Sequence, residues 1–301
     1  MKYPLFFPCF LFMFTHLSSG ISQPVFDWQG HRGCRGLMPE NSIPAFLKAL
    51  ELGVPTIEMD VVISMDGQIV VSDDPWMSHL ICSHPGGKAV TKAEEKTLNI
   101  YRMSYDQVQS YDCGKRLHPD FPDQQKVNTV KPTLKMVIRS VQRFATENKY
   151  AQPHYSIELK SSPSEYDSYI PQPDVFVELV INEIRRLNIE EHLTLQSTDV
   201  NILEELHKVE NSHFKIGYIV EKGKKMSKNL SALTFRPDIY SPDYKLMTEA
   251  SVNEAHEMGM KIVPWTVNDK ADQDKLIKWG VDGIITDYPE HMLQGTGTMT
   301  Q

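Results

Sequence analysis

The chain is 301 residues long and carries 31 lysines and arginines against 39 aspartates and glutamates, a formal charge of −8. That length suits one large domain or two small ones, and 41% hydrophobic with 23% charged residues supplies enough apolar side chain for a core, which excludes global disorder. The acidic balance argues against a protein that coats nucleic acid, whose affinity comes mainly from cations on phosphates, while leaving room for a local basic site for one phosphate.

Residues 1–22 read as a secretory signal. Lys2 precedes an apolar run from Pro4 to Phe14, then a small, polar stretch from Thr15 to Ser22. An apolar run of about a dozen residues is short of the roughly 20 that span a bilayer. The pattern predicts cleavage after Gly20 or Ser22. Cys9 lies inside the run rather than after a small-residue cleavage box, so a lipoprotein is not expected. No later segment is apolar enough to cross a membrane. The expectation is an exported protein, periplasmic or extracellular, with a single domain over residues 23–301. Cys34, Cys82 and Cys113 remain after cleavage. No CxxC spacing exists, which argues against a thiolate zinc site. In an oxidising compartment Cys82 and Cys113 either bridge or stay as two separate buried thiols.

Strand-like and helix-like patterns then alternate. Apolar, β-branched segments occupy Trp28–Gly33, Thr56–Ile63, Ile69–Asp73, Tyr155–Lys160, Leu193–Gln196, Phe214–Val220, Asp238–Ser241, Lys261–Val267 and Gly283–Thr286. Helical spacing appears in Ile43, Phe46, Leu47 and Leu50, stopped by Gly53, and again in Leu134, Val137, Ile138, Val141 and Phe144 behind Thr133. A third helix is marked by Phe176, Val177, Val180, Ile181, Ile184 and Leu187. Shorter ones follow around Leu203–Leu206, Thr248–Met258 and Asp272–Trp279. Repeated β-then-α order implies parallel strands with helical crossovers. One candidate is surplus to an eight-stranded ring. The link Ser64-Met65-Asp66-Gly67-Gln68 contains Asp-Gly and is too short for a crossover, so Ile69–Asp73 should fold back antiparallel. The fold expected is α/β, a (β/α)₈ TIM barrel with a β-hairpin after its second strand. Residues 75–131 form a long polar insertion with one short helix at the capping box Ser104-Tyr105-Asp106-Gln107.

In such barrels the chemistry sits at the C-terminal ends of the strands. Those ends read Gly30-His31-Arg32-Gly33, Glu58-Met59-Asp60 and Glu158-Leu159-Lys160. Strand residues two apart share a face, so Glu58 and Asp60 point together, as do Glu158 and Lys160. Each pair alone has an ordinary explanation, as surface alternation or as an ion pair; their coincidence at successive strand ends is the informative feature. Three carboxylates converging in a barrel mouth call for a hard divalent cation with oxygen ligands, its shell completed by water and a substrate phosphate.

The stretches GHRGCRGLMPENSIPAF and TIEMDVVISMDGQIVVS, with SIELKSSP, PWTVND and DGIITDYP, resemble the glycerophosphodiester phosphodiesterase family over essentially the whole length beyond residue 22, nearest its exported bacterial branch. The resemblance implies hydrolysis of glycerophosphodiesters to glycerol 3-phosphate and an alcohol. By position it assigns Glu58, Asp60 and Glu158 as metal ligands, for Ca²⁺ or else Mg²⁺, and His31 as one of two acid–base histidines. It makes Arg32 and Lys160 phosphate-binding cations and Trp265 an aromatic near the glycerol. Asn41 matches the asparagine of the family's Pro-Glu-Asn and is read as supporting the site.

The sequence departs from the family at the second histidine, where it has Asp73. Either crowding by carboxylates raises the pKa of Asp73 so that it serves as the acid, or it binds metal and stays ionised. His79 and His84 lie on the insertion at spacings that do not match the missing histidine. The expectation is an enzyme slowed at one half of its proton shuttle. Two alternatives remain: a non-catalytic phosphodiester-binding protein that kept the pocket, and a barrel enzyme acting on intact phospholipids, which needs an apolar rim on the insertion.

Overall fold

The protein is described by a computed structural model covering residues 26–223 and 225–295. The expected signal segment, residues 1–22, lies outside the described residues. The strands are β1 (Asp27–Gly30), β2 (Thr56–Ile63), β3 (Ile69–Val71), β4 (His154–Leu159), β5 (Leu193–Ser197), β6 (Lys215–Val220), β7 (Ile239–Pro242), β8 (Lys261–Ile262) and β9 (Gly283–Thr286). The helices are α1 (Ile43–Glu51), α2 (Tyr105–Val108), α3 (Leu134–Asn148), α4 (Pro173–Leu187), α5 (Val200–His207), α6 (Met226–Leu230), α7 (Glu249–Glu257), α8 (Lys270–Trp279) and α9 (His291–Gly295).

Hydrogen-bonded neighbours run β8-β7-β6-β5-β4-β2-β1-β9, every pair parallel. The two edges of this sheet meet. Asp282 N donates to Ile262 O at 3.0 Å, Ile285 N to Pro264 O at 2.9 Å and Val267 N to Ile285 O at 2.9 Å. The result is the expected eight-stranded parallel barrel, with β3 antiparallel on β2 as the Asp-Gly turn requires. Strand β8 is shorter than its apolar pattern because Pro264 has no N–H to continue the ladder.

Helix ends follow local chemistry. Ser42, Thr133 and Thr248 accept from backbone N–H groups at the starts of α1, α3 and α7. Ser104 and Gln107 form the anticipated reciprocal box at α2. Every residue of β2 is buried, yet its two faces differ. Ile57, Met59 and Val61 join the apolar layer with Phe46 and Leu50 of α1 and Val137 and Val141 of α3. Glu58 and Asp60 alternate with them and point the other way, into the barrel.

The insertion is less loop-like than its composition suggests. Met77, Ile81, Val90, Ile100 and Val108 pack with Val62 and Val70 of the hairpin into a small second core. Two 3₁₀ turns, Glu95–Thr97 and Ile100–Arg102, accompany α2. Cys82 and Cys113 are joined by a disulfide inside this core, whereas Cys34 is a free, buried thiol. Among the described residues, no helix is long and apolar enough to cross a membrane.

Candidate active site

The site begins with a tight turn after β1. Arg32 and Gly33 both have positive φ, 50° and 89°. Gly33 is required there, because a Cβ would meet Ala45 of α1 at 2.8 Å. The turn aims the Arg32 backbone N–H at Glu58 Oε2, 2.8 Å away, and seats the guanidinium among carboxylates. Its Nη1 lies 2.8 Å from Glu40, its Nε 3.2 Å from Asp60 and its Nη2 3.0 Å from Asp73.

Parallel register brings the acids together. Asp60 of β2 lies directly opposite Glu158 of β4, and Glu58 is two residues before Asp60 on the same face. Oxygens of Glu58, Asp60 and Glu158 all fall within 4.8 Å of one another, and all three residues are buried. Asn41, at φ 51°, clamps Asp60 from both sides. Its Nδ2 donates to Asp60 Oδ2 at 2.8 Å, and Asp60 N donates to its Oδ1 at 3.2 Å. Lys160 Nζ sits 3.0 Å from Glu158, 3.0 Å from Asp73 and 3.8 Å from Asp60.

Arg32 and Lys160 therefore face four carboxylates, those of Glu58, Asp60, Asp73 and Glu158, while Arg32 and Arg35 share Glu40. Burial, opposed in part by Lys160 and reinforced by Asp60 and Asp73, pushes the Glu158 carboxyl up to about 8. Burial and then Asp60 hold Glu58 well above the usual carboxylate range. This donor set is all oxygen, buried and short of positive charge, and it fits a hard divalent cation.

His31, at the end of β1, pairs through Nδ1 with Asp287 Oδ1 at 2.7 Å. Burial lowers the His31 pKa, with the Asp287 carboxylate opposing the shift. The imidazole is thus neutral near pH 7, with its proton on the Nδ1 that faces the carboxylate and its lone pair on Nε2. Asp287 also receives Arg35 Nε at 2.9 Å and Asn268 Nδ2 at 2.7 Å.

Asp73 does not acquire the raised pKa entertained for it as an acid. Burial alone would raise it, but the adjoining Arg32 and Lys160 charges outweigh burial and hold it well below the usual range. His79 and His84 stay on the insertion, paired with Glu95 at 2.6 Å and Glu94 at 3.2 Å. Trp265 anchors its Nε1 on Ser241 O at 2.9 Å. Together with His31, Arg32, Asp73, Glu158 and Lys160, it lines a cleft of about 690 Å³ at the C-terminal mouth of the barrel. Of the insertion, Pro75 lines the cleft, next to Asp73 and Asp74 that precede it.

Asp287, Glu40 and Arg35 are site residues that the strand-end reading did not single out. Asp287 directly follows β9, so the rule that found Glu58 and Glu158 applies to it too.

Comparison with known proteins places these features. Residues 31–291 match the model of the glycerophosphoryl diester phosphodiesterase family. The chain belongs to this family. A glycerophosphodiester phosphodiesterase of Caldanaerobacter subterraneus is 29% identical over 267 residues, covering 87% of this chain and 94% of that protein. The crystal structure of a glycerophosphoryl diester phosphodiesterase homologue from Silicibacter pomeroyi superposes with a TM-score of 0.79 at 26% identity, covering 91% and 93% of the two chains. An Oleispira antarctica phosphodiesterase, solved with its product sn-glycerol-3-phosphate, shares the fold at a TM-score of 0.69 and 19% identity, covering 90% and 97%. As a glycerophosphoryl diester phosphodiesterase family member, the protein is a phosphoric diester hydrolase.

Proposed function

We propose that the protein hydrolyses glycerophosphodiesters to glycerol 3-phosphate and an alcohol, in a reaction that depends on a divalent cation held by Glu58, Asp60 and Glu158. Calcium is the favoured ion, with magnesium the alternative. The observation that carries this reading is the convergence of those three buried carboxylates beside Arg32 and Lys160. Membership in the family, and the fold shared with the Oleispira enzyme solved with sn-glycerol-3-phosphate, support it.

A cation bound to the three carboxylates supplies positive charge to the phosphoryl oxygens, where charge builds during displacement. Arg32 and Lys160 bind and orient the phosphate. Trp265 borders the glycerol. His31 Nε2 takes the proton from the attacking hydroxyl, whether from water or from the neighbouring glycerol hydroxyl, and Asp287 steadies the imidazolium that results.

Asp73 stands in for the family's second histidine and, being ionised, has no proton to give the leaving alkoxide. Loss of a positioned acid costs roughly 10²–10⁴ in rate, so the enzyme is slow beside relatives with two histidines. The test is an assay of glycerol 3-phosphate release from glycerophosphocholine and glycerophosphoethanolamine. Release that persists undiminished in chelator refutes the metal requirement, and no release with any divalent ion refutes the activity.

The reading extends to location. The Cys82–Cys113 disulfide supports export of the mature chain to an oxidising compartment, removed from its N-terminal apolar segment. Finding the protein in the cytosol with residues 1–22 retained would refute it.

A further inference from the structure

Asp73 is held in place before any ligand arrives. Ser72 N donates to Asp60 O at 2.9 Å, and Ser72 Oγ donates to Asp74 O at 2.6 Å while accepting from Lys131 Nζ at 2.7 Å. This turn after β3 presents one carboxylate oxygen, Asp73 Oδ1, to both Arg32 Nη2 and Lys160 Nζ at 3.0 Å. These are the two cations that the functional reading assigns to the phosphate. A carboxylate bridging them satisfies the same charge and the same donors as a phosphoryl oxygen.

We propose that Asp73 is a resident competitor for the phosphate position, an anionic side chain that sets which phosphate esters the cleft accepts. The inference rests on the reading that Arg32 and Lys160 receive the substrate phosphate. Its consequence follows from charge. A phosphodiester carries one negative charge, whereas a phosphomonoester or inorganic phosphate approaches two at neutral pH, the second proton leaving near pH 6. Each must displace or sit beside the Asp73 carboxylate, and repulsion grows with ligand charge. Asp73 therefore disfavours inorganic phosphate and the monoester product more than the diester substrate. The product leaves readily, and ambient phosphate does not block the site. A histidine at this position gives no such discrimination, since it is neutral or cationic.

The test is calorimetric titration of inorganic phosphate and of sn-glycerol 3-phosphate into the full magnesium-loaded chain and its variants. Asp73→Asn and Asp73→Ser, two replacements that remove the charge with different side chains, should each tighten both ligands by about tenfold or more. Glu183→Gln removes a carboxylate on α4 that pairs with Arg186 and does not line the cleft, and should leave both affinities unchanged. In parallel, the inhibition constant of glycerol 3-phosphate against glycerophosphocholine hydrolysis should fall in the Asp73 variants by more than KM does. Equal affinity in wild type and both Asp73 variants overturns the proposal, as does an equal gain in Glu183→Gln. If the wild type hydrolyses no diester but the Asp73 variants bind phosphate more tightly, the competitor role stands and the functional reading falls. If hydrolysis is robust and phosphate affinity does not change, only the competitor role is lost.

Discussion

His31 and Asp287, separated by 256 positions in the chain, meet through a 2.7 Å contact between Nδ1 and Oδ1 at the seam where β9 closes on β1. The pairing favours the tautomer that leaves the Nε2 lone pair free for the base role proposed for His31. Asp287→Asn should reverse that preference, because an amide at this position can donate to Nδ1. Turnover is expected to fall by about 10²–10⁴, with calcium affinity retained. Steady-state kinetics with a parallel metal titration check it, and full activity in Asp287→Asn would remove His31 from the role of base.

Glu158→Gln removes one ligand charge while keeping shape. Calcium affinity should drop by about tenfold or more, and an unchanged affinity would show that Glu158 is not a ligand. In chelator the same variant should be at least as stable as wild type near pH 8, since it no longer buries a carboxylate that resists ionisation.

The metal-free protein should lose stability as pH rises from about 7.5 to about 8.5. Glu158 is raised to about 8 in the folded state, so between its unfolded value and 8 the folded protein binds more protons than the unfolded chain. Stability then falls with increasing pH. His31, His118 and His154 are shifted downward, so their opposing contributions run up through the unfolded value of 6.5 and become small only about one unit above it, which is why the window starts near 7.5. The expected slope approaches about 1 kcal/mol per pH unit, or about 2–4 °C in melting temperature. Saturating calcium should flatten it. A metal-free melting temperature that rises over this interval contradicts the assigned burial of Glu158.

Much of the barrel was legible because its strands are buried and their patterns unambiguous. Thr56–Ile63 and Gly283–Thr286 were bounded from sequence as the structure has them, and the antiparallel β3 followed from one Asp-Gly. The small core under the insertion was not visible, since Met77, Ile81, Val90 and Ile100 are scattered without period and meet only through tertiary packing. The metal-ligand candidates were readable because two-residue spacing on a strand dictates a shared face. The partners of Arg32 were not. Glu40, Asp60 and Asp73 come from three separate segments, and only the folded turn at Arg32 and Gly33 gathers them. That gathering also decides the state of Asp73, which spacing alone left open between acid and metal ligand.

Asp73→His tests the missing half of the shuttle. Supplying an imidazole beside the phosphate should raise kcat by about tenfold or more, with a bell-shaped pH profile in place of a single ascending limb. Rate and pH profile are read together. No gain in kcat would show that proton donation to the leaving group does not limit the native enzyme.

The disulfide between Cys82 and Cys113 spans a separation of 31 residues and ties the insertion to itself. Its removal in the double variant Cys82→Ser, Cys113→Ser should cost about 3.7 kcal/mol by the loop-closure argument. The loss should appear in hydrogen exchange first over residues 75–131, with the barrel strands still protected. Uniform loss of protection would mean that the insertion and barrel unfold as one unit.

Phosphodiester hydrolysis in this cleft is proposed to depend on one divalent cation among Glu58, Asp60 and Glu158. The direct measurement is glycerol 3-phosphate released from glycerophosphocholine by the purified protein, first with calcium and then after chelation. Slow but measurable release is expected, stopping in chelator and returning when calcium is restored. Release at the same rate in both conditions, or none in either, would contradict the proposal.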